Sequence, residues 1–397
     1  NFKKNELNHK YNENFCSDCY ILFYKKCFSK IMKIKLNTII IYISTYLIFF
    51  LIADILFSNF IYKKDILNNC YKYLEDFYYL KKNCHAKEKW LRNILSYDVY
   101  TDHNGFRFNG KKSNNNSTNK IATFSGGSFT YGMGFDYKKT FVGLIDDAKK
   151  EYKVINLGVP GYSPTVFNYQ LKKIINNKIL PSKIFLVLDI VDVTSEASVW
   201  DQKDKYDYPI RLEKTIINNE DIRSFKNFRR NNFKGSRLIA RSINNFFRSI
   251  RLYYSNFSEK SRKAGSTPWG NFLYMNLEDT DQKLWQPFGF DESINKIRKN
   301  FDEISKLANS IKADFYIIIY PWPDSLEYGQ NVFNWEEFAV DLCNRVSCTK
   351  LINLFPEFRH IKETSSDWLS KLYIENDVHL VEYAQKIVAT KILKEAF

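Results

Sequence analysis

The sequence predicts an α/β fold, a three-layer α/β/α sandwich built on a mostly parallel, flavodoxin-like sheet. Three observations support this prediction: short apolar runs recur from residue 120 onward, each run is continuous rather than alternating, and helical stretches separate the runs. Continuous apolar runs are typical of parallel strands buried on both faces. Strands that alternate with helices favour an open sheet covered by helices on both sides.

The predicted strands follow one another along the chain as KIATF (120–124), YKVINLG (152–158), KIFLVLDI (183–190), ADFYIIIYPW (313–322) and TKLINLF (349–355). The predicted helices cover residues 164–178, 293–312, 334–346 and 380–396. Ligands of such sheets bind beyond the carboxyl ends of the strands. We therefore expect the turn at Ser128, the turn at Gly158 and the region of Asp192 to meet at one sheet edge.

A transmembrane helix is predicted before this sheet, over residues 36–62. The run LNTIIIYISTYLIFFLIA (36–53) has no charged side chain, and about 20 apolar residues suffice to cross a bilayer. Lysines are denser before the run than after it: Lys25, Lys26, Lys30, Lys33 and Lys35 against Lys63 and Lys64. This bias predicts a cytoplasmic N-terminus and an extracytoplasmic remainder. The run is too long for a signal-peptide core and no A-x-A cleavage site stands out, so we expect an uncleaved single-pass anchor.

The anchor divides the chain into four predicted parts. Residues 1–35 form a basic cytoplasmic tail, of which residues 1–31 precede Met32 and are either tail or an over-extended start. Residues 36–62 form the anchor, and residues 63–100 are predicted as a helical stalk. Residues 101–397 form the α/β domain, with an insertion at about 195–292 in which no clear strand is visible.

The net charge of +15 accompanies no nucleic-acid-binding module, so we expect no nucleic-acid partner. Within the insertion, residues 223–254 are basic and aromatic with helical spacing. They are interpreted as a helical cap over the sheet edge, with a membrane-surface contact and a groove for an anionic glycan as alternatives. No metal-ligand cluster or phosphate-binding loop is visible, so no metal and no cofactor are expected.

Two cysteine pairs follow the anchor. In an oxidising compartment Cys70 could pair with Cys84, and Cys343 with Cys348. The alternative is four reduced, buried thiols. The C-x-x-C at Cys16 has no second pair at zinc-site spacing.

The segment FSGGSFTYG (124–132) places two glycines before Ser128 at the end of a predicted strand. It is either a tight turn without chemistry or a turn that presents a nucleophile at the head of a helix. A nucleophilic serine needs a base and a carboxylate that orients this base. Of five histidines, His379 suits this role, because Asp377 lies two residues earlier in a predicted loop before the last helix.

These segments resemble the SGNH (GDSL-type) hydrolases over roughly residues 100–395. FSGGSFTYG is similar to the first block of that family, INLGVPGYS (155–163) to the second and DVHL (377–380) to the last. NGFR (104–107) and YPWP (320–323) are similar to members found beside envelope-polysaccharide genes. The resemblance implies that Ser128 is the nucleophile, His379 the base and Asp377 its orienting acid. It also implies that the backbone N–H groups of Ser128 and Gly158 bind the oxyanion.

Two positions depart from the family pattern. Gly127 replaces the usual aspartate, and Val191 or Asp192 stands where an asparagine normally completes the oxyanion hole. Loss of one such donor costs on the order of 10²–10³ in rate.

The expected function is a membrane-anchored esterase or deacetylase that acts on an acylated glycan at the outer face through an acyl-serine intermediate. One alternative is an O-acyltransferase of an envelope polysaccharide, which would receive acyl groups from a multi-span partner. The other alternative is a glycan-binding or assembly protein that has lost turnover.

Overall fold

A computed structural model describes residues 38–58, 69–74, 76–90, 95–111, 120–202, 207–212, 233, 235–236, 239–240, 242–244, 268–375 and 377–397. The basic tail and parts of the predicted anchor, stalk and insertion lie outside these residues. The chain divides into two compact units: Asn1–Asp65 with Asn219–Tyr253, and Ile66–Asn218 with Tyr254–Phe397.

The first unit contains one long apolar helix, α1 (Thr38–Leu56), which is long and apolar enough to cross a membrane. At 1.5 Å per residue its length is about 28 Å, close to the thickness of a bilayer's hydrocarbon core. Most of its side chains are exposed in this unit.

Asp54 is the exception on this helix, because its side chain is buried. The carboxylate accepts hydrogen bonds from the backbone N–H groups of Gly235 at 2.7 Å and Ser236 at 2.9 Å, and from the Ser236 hydroxyl. Residues 235–236, 239–240 and 242–244 are helical. A side chain of α1 therefore satisfies N–H groups at the start of a second helical segment.

The second unit is built on strands whose bounds are β1 (Tyr71–Tyr73), β2 (Tyr78–Leu80), β3 (His85–Trp90), β4 (Leu95–Thr101), β5 (Arg107–Phe108), β6 (Ile121–Gly126), β7 (Lys153–Asn156), β8 (Lys183–Leu188), β9 (Trp200–Asp201), β10 (Ile210–Arg211), β11 (Asp314–Ile319) and β12 (Lys350–Asn353). Eight of them form one sheet in the order β12-β11-β8-β6-β7-β5-β4-β3. The strands from β12 to β7 are parallel, and β5, β4 and β3 extend the sheet in antiparallel fashion. The five parallel strands are the five that the apolar runs predict.

The helices of this unit are α2 (Ser128–Tyr131), α3 (Phe141–Ala148), α4 (Pro164–Asn176), α5 (Val191–Ser198), α6 (Phe290–Ser310), α7 (Pro323–Tyr328), α8 (Trp335–Arg345), α9 (Phe355–Thr364), α10 (Trp368–Leu372) and α11 (Glu382–Ala396). The four predicted helices correspond to α4, α6, α8 and α11, each with ends shifted by a few residues.

Helices cover both faces of the sheet. Phe124 and Phe185 are register partners on β6 and β8, and their rings stack at 4.4 Å. Phe141 of α3 packs edge-on against Phe124 on this face. Phe315 on β11 points to the other face, where it contacts Phe301 of α6. The structure therefore confirms the predicted fold class, a mostly parallel sheet between helical layers.

The prediction of a helical stalk over residues 63–100 is wrong for the described part, which forms strands β1 to β4. Side chains of β3 alternate between exposed and buried, which is the pattern of a strand with one buried face. A disulfide joins Cys70 to Cys84, and β3 pairs with β4 in antiparallel register. The charged residues suggested a solvated helix, but the lysines of β3 occupy its exposed positions, whereas Glu88 is buried and accepts hydrogen bonds from the hydroxyls of Tyr97 and Tyr131.

The predicted insertion contains a strand pair that the sequence does not reveal, because β9 and β10 are two residues each and pair only with one another. Its remaining described elements in the second unit are short 3₁₀ turns: Pro268–Leu273, Leu277–Asp279 and Gln282–Trp285. Most of residues 223–254, the predicted helical cap, lies outside the described residues.

Candidate active site

The nucleophile turn connects β6 to α2. The strand ends at Gly126, and Ser128 is the first residue of a helix that ends after one turn at Gly132, where φ is 82°. A Cβ on Gly126 would overlap the Thr130 side chain, so this close turn requires glycine. Gly127 differs, because a Cβ there would meet only the carbonyl oxygen of Tyr162 at 3.5 Å. The absence of the usual aspartate at Gly127 therefore leaves the turn intact.

The structure brings Ser128, His379 and Asp377 together. His379 Nε2 lies 2.7 Å from Ser128 Oγ across 251 positions of sequence. His379 Nδ1 lies 2.5 Å from Asp377 Oδ1, which also accepts the backbone N–H of His379 at 2.8 Å. The side chains of His379 and Asp377 are 9% and 10% exposed. A hydroxyl, an imidazole and a carboxylate in this order form the arrangement that activates a serine.

Two aromatic rings enclose the imidazole. Phe129 stacks on the His379 ring at a centroid distance of 4.8 Å, and Trp90 packs edge-on against it at 5.5 Å. Trp90 also donates its indole N–H to Asp377 Oδ2 at 3.1 Å. The sequence interpretation missed Trp90 because it assigned this residue to a helical stalk. The alternating pattern of β3 is the signal that could have placed it on a strand.

The pKa of Asp377 lies below its usual value. Burial is the largest influence and raises the pKa, but it is outweighed by the hydrogen bond and charge of His379, the backbone N–H of His379 and the indole N–H of Trp90. The lowered pKa means that Asp377 is ionised at neutral pH. An ionised carboxylate fixes the tautomer with hydrogen on Nδ1, which leaves Nε2 free to accept the serine proton.

Gly158, expected as an oxyanion donor, has another role. Its N–H donates to Asn156 Oδ1 at 2.8 Å, and a Cβ would lie 2.6 Å from the carbonyl carbon of Thr130. Gly158 is therefore needed for close packing of the loop after β7 against α2, and its N–H is already engaged. This corrects the expectation drawn from the sequence.

Gly161, three residues later in the same loop, differs from Gly158 in its backbone N–H. Val159 and Tyr162 donate their N–H groups to the carbonyls of Gly126 and Val159, and Pro160 has no N–H. Among the described residues no acceptor is found for the N–H of Gly161, which has a φ of 78°. The loop passes beside Gly127, one residue before the nucleophile. The sequence interpretation chose Gly158 because both glycines lie in the same block.

The third oxyanion position holds no amide. Asp192 is fully buried, and its Oδ2 accepts the backbone N–H of Asp189 at 2.9 Å. Burial raises the pKa of Asp192 well above its usual value, and the nearby Asp189 carboxylate adds to this effect. Burial therefore disfavours the charged form of Asp192 and shields its carboxyl group from the sheet edge. Val191 has no donor in its side chain.

Arg107 holds the loop that follows α2. Its side chain is buried, and its guanidinium donates to the carbonyls of Tyr131, Gly132 and Phe135, the last at 2.5 Å. Five donors in a planar fork suit an arginine for binding several carbonyls at once. Arg107 of the NGFR segment therefore has a structural role: it fixes the loop that directly follows the nucleophile turn.

The second predicted cysteine pair, Cys343 with Cys348, is also a disulfide in the structure. Within the described residues no group of three or more histidine, cysteine or acidic side chains could hold a metal ion.

No protein-family model matches the chain, and no curated protein matches it. Solved structures are similar over about two thirds of it. TesA is 10% identical with a TM-score of 0.38, and the match covers 69% of this chain and 97% of TesA. A member of the lipolytic protein G-D-S-L family from Veillonella parvula is 13% identical with a TM-score of 0.38, covering 70% and 97%. A variant of Axe2, an acetyl-xylooligosaccharide esterase from Geobacillus, is 9% identical with a TM-score of 0.38, covering 70% and 95%.

Proposed function

We propose that this chain is a serine esterase of the SGNH type. The observation that supports the proposal is the continuous hydrogen-bonded path from Ser128 Oγ through His379 to Asp377, with distances of 2.7 and 2.5 Å. Few arrangements outside nucleophilic catalysis bring a serine hydroxyl, an imidazole and a buried carboxylate into this order.

The proposed reaction has two halves. Ser128 Oγ attacks the ester carbonyl carbon while His379 Nε2 takes the hydroxyl proton, and the resulting imidazolium is stabilised by Asp377. The carbonyl oxygen becomes an oxyanion, which accepts hydrogen bonds from the backbone N–H groups of Ser128 and Gly161. As the C–O bond of the ester breaks, Nε2 returns its proton to the leaving alcohol. Water then attacks the acyl-serine by the same route in reverse, giving a carboxylic acid and free Ser128.

A fluorophosphonate probe tests this proposal, because such probes react only with an activated serine. We expect the full-length chain in detergent to be labelled and Ser128→Ala to remain unlabelled. Ser125→Ala is the matched control, since Ser125 is buried in the same segment and its hydroxyl reaches Gln170 at 3.4 Å. Labelling that is absent from the wild-type chain, or that survives in Ser128→Ala, would contradict the proposal.

We further propose that α1 is a membrane anchor and that the second unit lies on the outer face. Its length and apolar surface support the anchor, and the disulfides at Cys70–Cys84 and Cys343–Cys348 support an oxidising compartment. The lysine bias before the helix supports a cytoplasmic N-terminus. Protease added to spheroplasts should remove a C-terminal tag while a cytoplasmic marker survives. Protection of the tag until the cells are lysed would place the second unit on the inner side.

The proposed substrate is an acyl ester on a carbohydrate of the cell envelope. A tethered esterase on the outer face reaches hydroxyl-rich polymers there, and residues 63–397 carry 51 Lys and Arg against 40 Asp and Glu, an excess that favours anionic partners. Acetate release from O-acetylated oligosaccharides, compared with unacetylated ones, tests the substrate class. If the enzyme cleaves a simple aryl acetate but releases no acetate from acetylated oligosaccharides, the proposed glycan substrate is refuted, whereas the proposed esterase activity stands.

Transfer to a sugar hydroxyl is a second function that the same triad could perform. Because neither Val191 nor Asp192 supplies a side-chain amide to the oxyanion, attack on the acyl-serine is expected to be slow, whether water or a sugar hydroxyl attacks. A sugar hydroxyl bound beside the acyl-serine would compete with water by proximity. An acetyl donor incubated with an oligosaccharide acceptor would then yield acetylated sugar faster than free acetate; a multi-span donor protein would supply the acyl group in the cell.

A further inference from the structure

We propose that Trp90 is a positioning residue of the catalytic triad, which holds Asp377 in line with His379. The proposal rests on the esterase function proposed above and adds a residue that lies outside the sequence blocks that contain Ser128, Asp377 and His379. Its basis is the hydrogen bond from Trp90 to Asp377, the contact between the rings of Trp90 and His379, and the way in which hydrogen-bond donors are divided between the two oxygens of Asp377.

The two oxygens of Asp377 have separate partners. Oδ1 accepts both Nδ1–H and the backbone N–H of His379, whereas Oδ2 accepts the indole N–H of Trp90 at 3.1 Å. Among the described residues no other donor to Oδ2 is found. A carboxylate held at one oxygen can rotate about its terminal torsion, because this sp³–sp² torsion is broad. Donors at both oxygens fix the plane in which Oδ1 faces the imidazole.

The ring of Trp90 also restricts the imidazole itself. It lies edge-on to His379, at an interplanar angle of 84°, while Phe129 stacks against the same ring at 27°. The two contacts leave the imidazole little freedom to tilt, and they exclude water from the hydrogen bond between Nδ1 and the carboxylate. A hydrogen bond in such surroundings is electrostatically stronger than one exposed to water.

Trp90 reaches this position through the antiparallel extension of the sheet. It is the last residue of β3, and it pairs in register with Leu95 of β4. A Cβ on Gly134 would lie 3.8 Å from Trp90 Cδ1, so the loop held by Arg107 packs against the same indole. The strands at the sheet edge thereby contribute directly to the geometry of the active site.

The test compares Trp90→Phe with the wild-type full-length chain. Phenylalanine keeps an aromatic ring but removes the indole N–H together with part of the ring volume, so Oδ2 loses its donor. Trp285→Phe is the matched control, because Trp285 donates its indole N–H to Thr280 at 2.8 Å and has no contact with the triad. Active enzyme is counted by fluorophosphonate titration, which removes any difference in folded fraction from the comparison.

We expect Trp90→Phe to lower kcat for an aryl acetate about tenfold, with KM changed less than twofold. A misaligned Asp377 stabilises the imidazolium of the transition state less, so the loss should appear in kcat and not in KM. Trp285→Phe should change neither kcat per titrated site nor KM.

A Trp90→Phe enzyme with wild-type kcat would overturn the role of Trp90 and leave the esterase function intact. Trp90→His supplies the rescue, since an imidazole N–H placed toward Oδ2 should restore kcat at least in part. A fall in kcat that Trp90→His does not reverse would show a structural role only, and would also overturn the proposal. A wild-type chain that neither labels nor hydrolyses would refute the esterase function first, and the role of Trp90 with it.

Discussion

Asp377→Asn tests the electrostatic reasoning about the site most directly, because it preserves shape and removes charge. The wild-type carboxylate accepts from His379 on Oδ1 and from Trp90 on Oδ2. An asparagine has one acceptor and one donor at these places. If its NH₂ faces Trp90, two donors oppose each other; if it faces His379 Nδ1, the imidazole adopts the tautomer with hydrogen on Nε2, which cannot accept the proton of Ser128.

The magnitude follows from two losses in the transition state, where His379 becomes an imidazolium. Attraction between unit charges about 4 Å apart at an effective dielectric constant near 20 is about 4 kcal/mol. The charge-assisted hydrogen bond adds about 1.5 kcal/mol. Their sum of about 5.5 kcal/mol corresponds to roughly a 10⁴-fold loss in kcat. The same change in the triad of serine proteases lowers kcat by about 10⁴.

The assay is steady-state hydrolysis of an aryl acetate at pH 8, with the active fraction counted by fluorophosphonate titration. Asp367→Asn is the control, because it removes a carboxylate that is paired with Lys371 on the surface and should leave kcat unchanged. Asp377→Asn activity within tenfold of the wild type would refute the claim that this carboxylate stabilises the imidazolium.

Three further predictions concern stability. Gly158→Ala should lower Tm by about 5 °C or more, because its Cβ would overlap backbone atoms of α2, whereas Gly127→Ala should leave Tm within about 2 °C; equal effects in scanning calorimetry would contradict this. Burial raises the pKa of Asp146 to about 6, so the folded chain binds a proton that the unfolded chain lacks between about pH 4 and 6 and loses stability as pH rises through that window; Asp146→Asn should therefore raise Tm more at pH 7.5 than at pH 4.5, and an equal rise at both would count against it. Replacing Cys70 and Cys84 with serine opens a loop of sequence separation 14 and should cost about 3 kcal/mol in urea unfolding; an unchanged midpoint would show that the disulfide adds no stability.

The sequence predicts the parallel part of the fold because burial on both faces leaves an uninterrupted apolar run at each strand. It also predicts that the turn at Ser128 lies at the carboxyl edge of the sheet. That Asp377 and His379 meet Ser128 there was implied by the resemblance of the sequence blocks, because these two residues lie in the loop before the last helix and follow no parallel strand. The antiparallel strands β3 to β5 escape prediction, since one of their faces is polar and their charged residues resemble those of a solvated helix.

Local detail was less predictable for a different reason. Gly158 and Gly161 lie three residues apart in one block, and only the hydrogen bond from Gly158 to Asn156 shows which N–H is engaged. Asp192 could be read as a repelling charge until its complete burial was known. Such facts depend on three-dimensional neighbours that sequence spacing does not encode.

Because it carries Asp54, the apolar helix α1 also caps a second helical segment of the same unit, in addition to its proposed role as a membrane anchor. If α1 were only an anchor, any other hydrophobic segment of the same length could replace it. However, α1 also carries the carboxylate that accepts the backbone N–H groups of Gly235 and Ser236. Swapping it for an unrelated anchor, or cutting the chain just behind it, would leave those two amides without their acceptor some 180 positions downstream. Recombinant versions designed to be water-soluble should therefore remove residues 219–253 together with the helix, or supply a new cap for that segment.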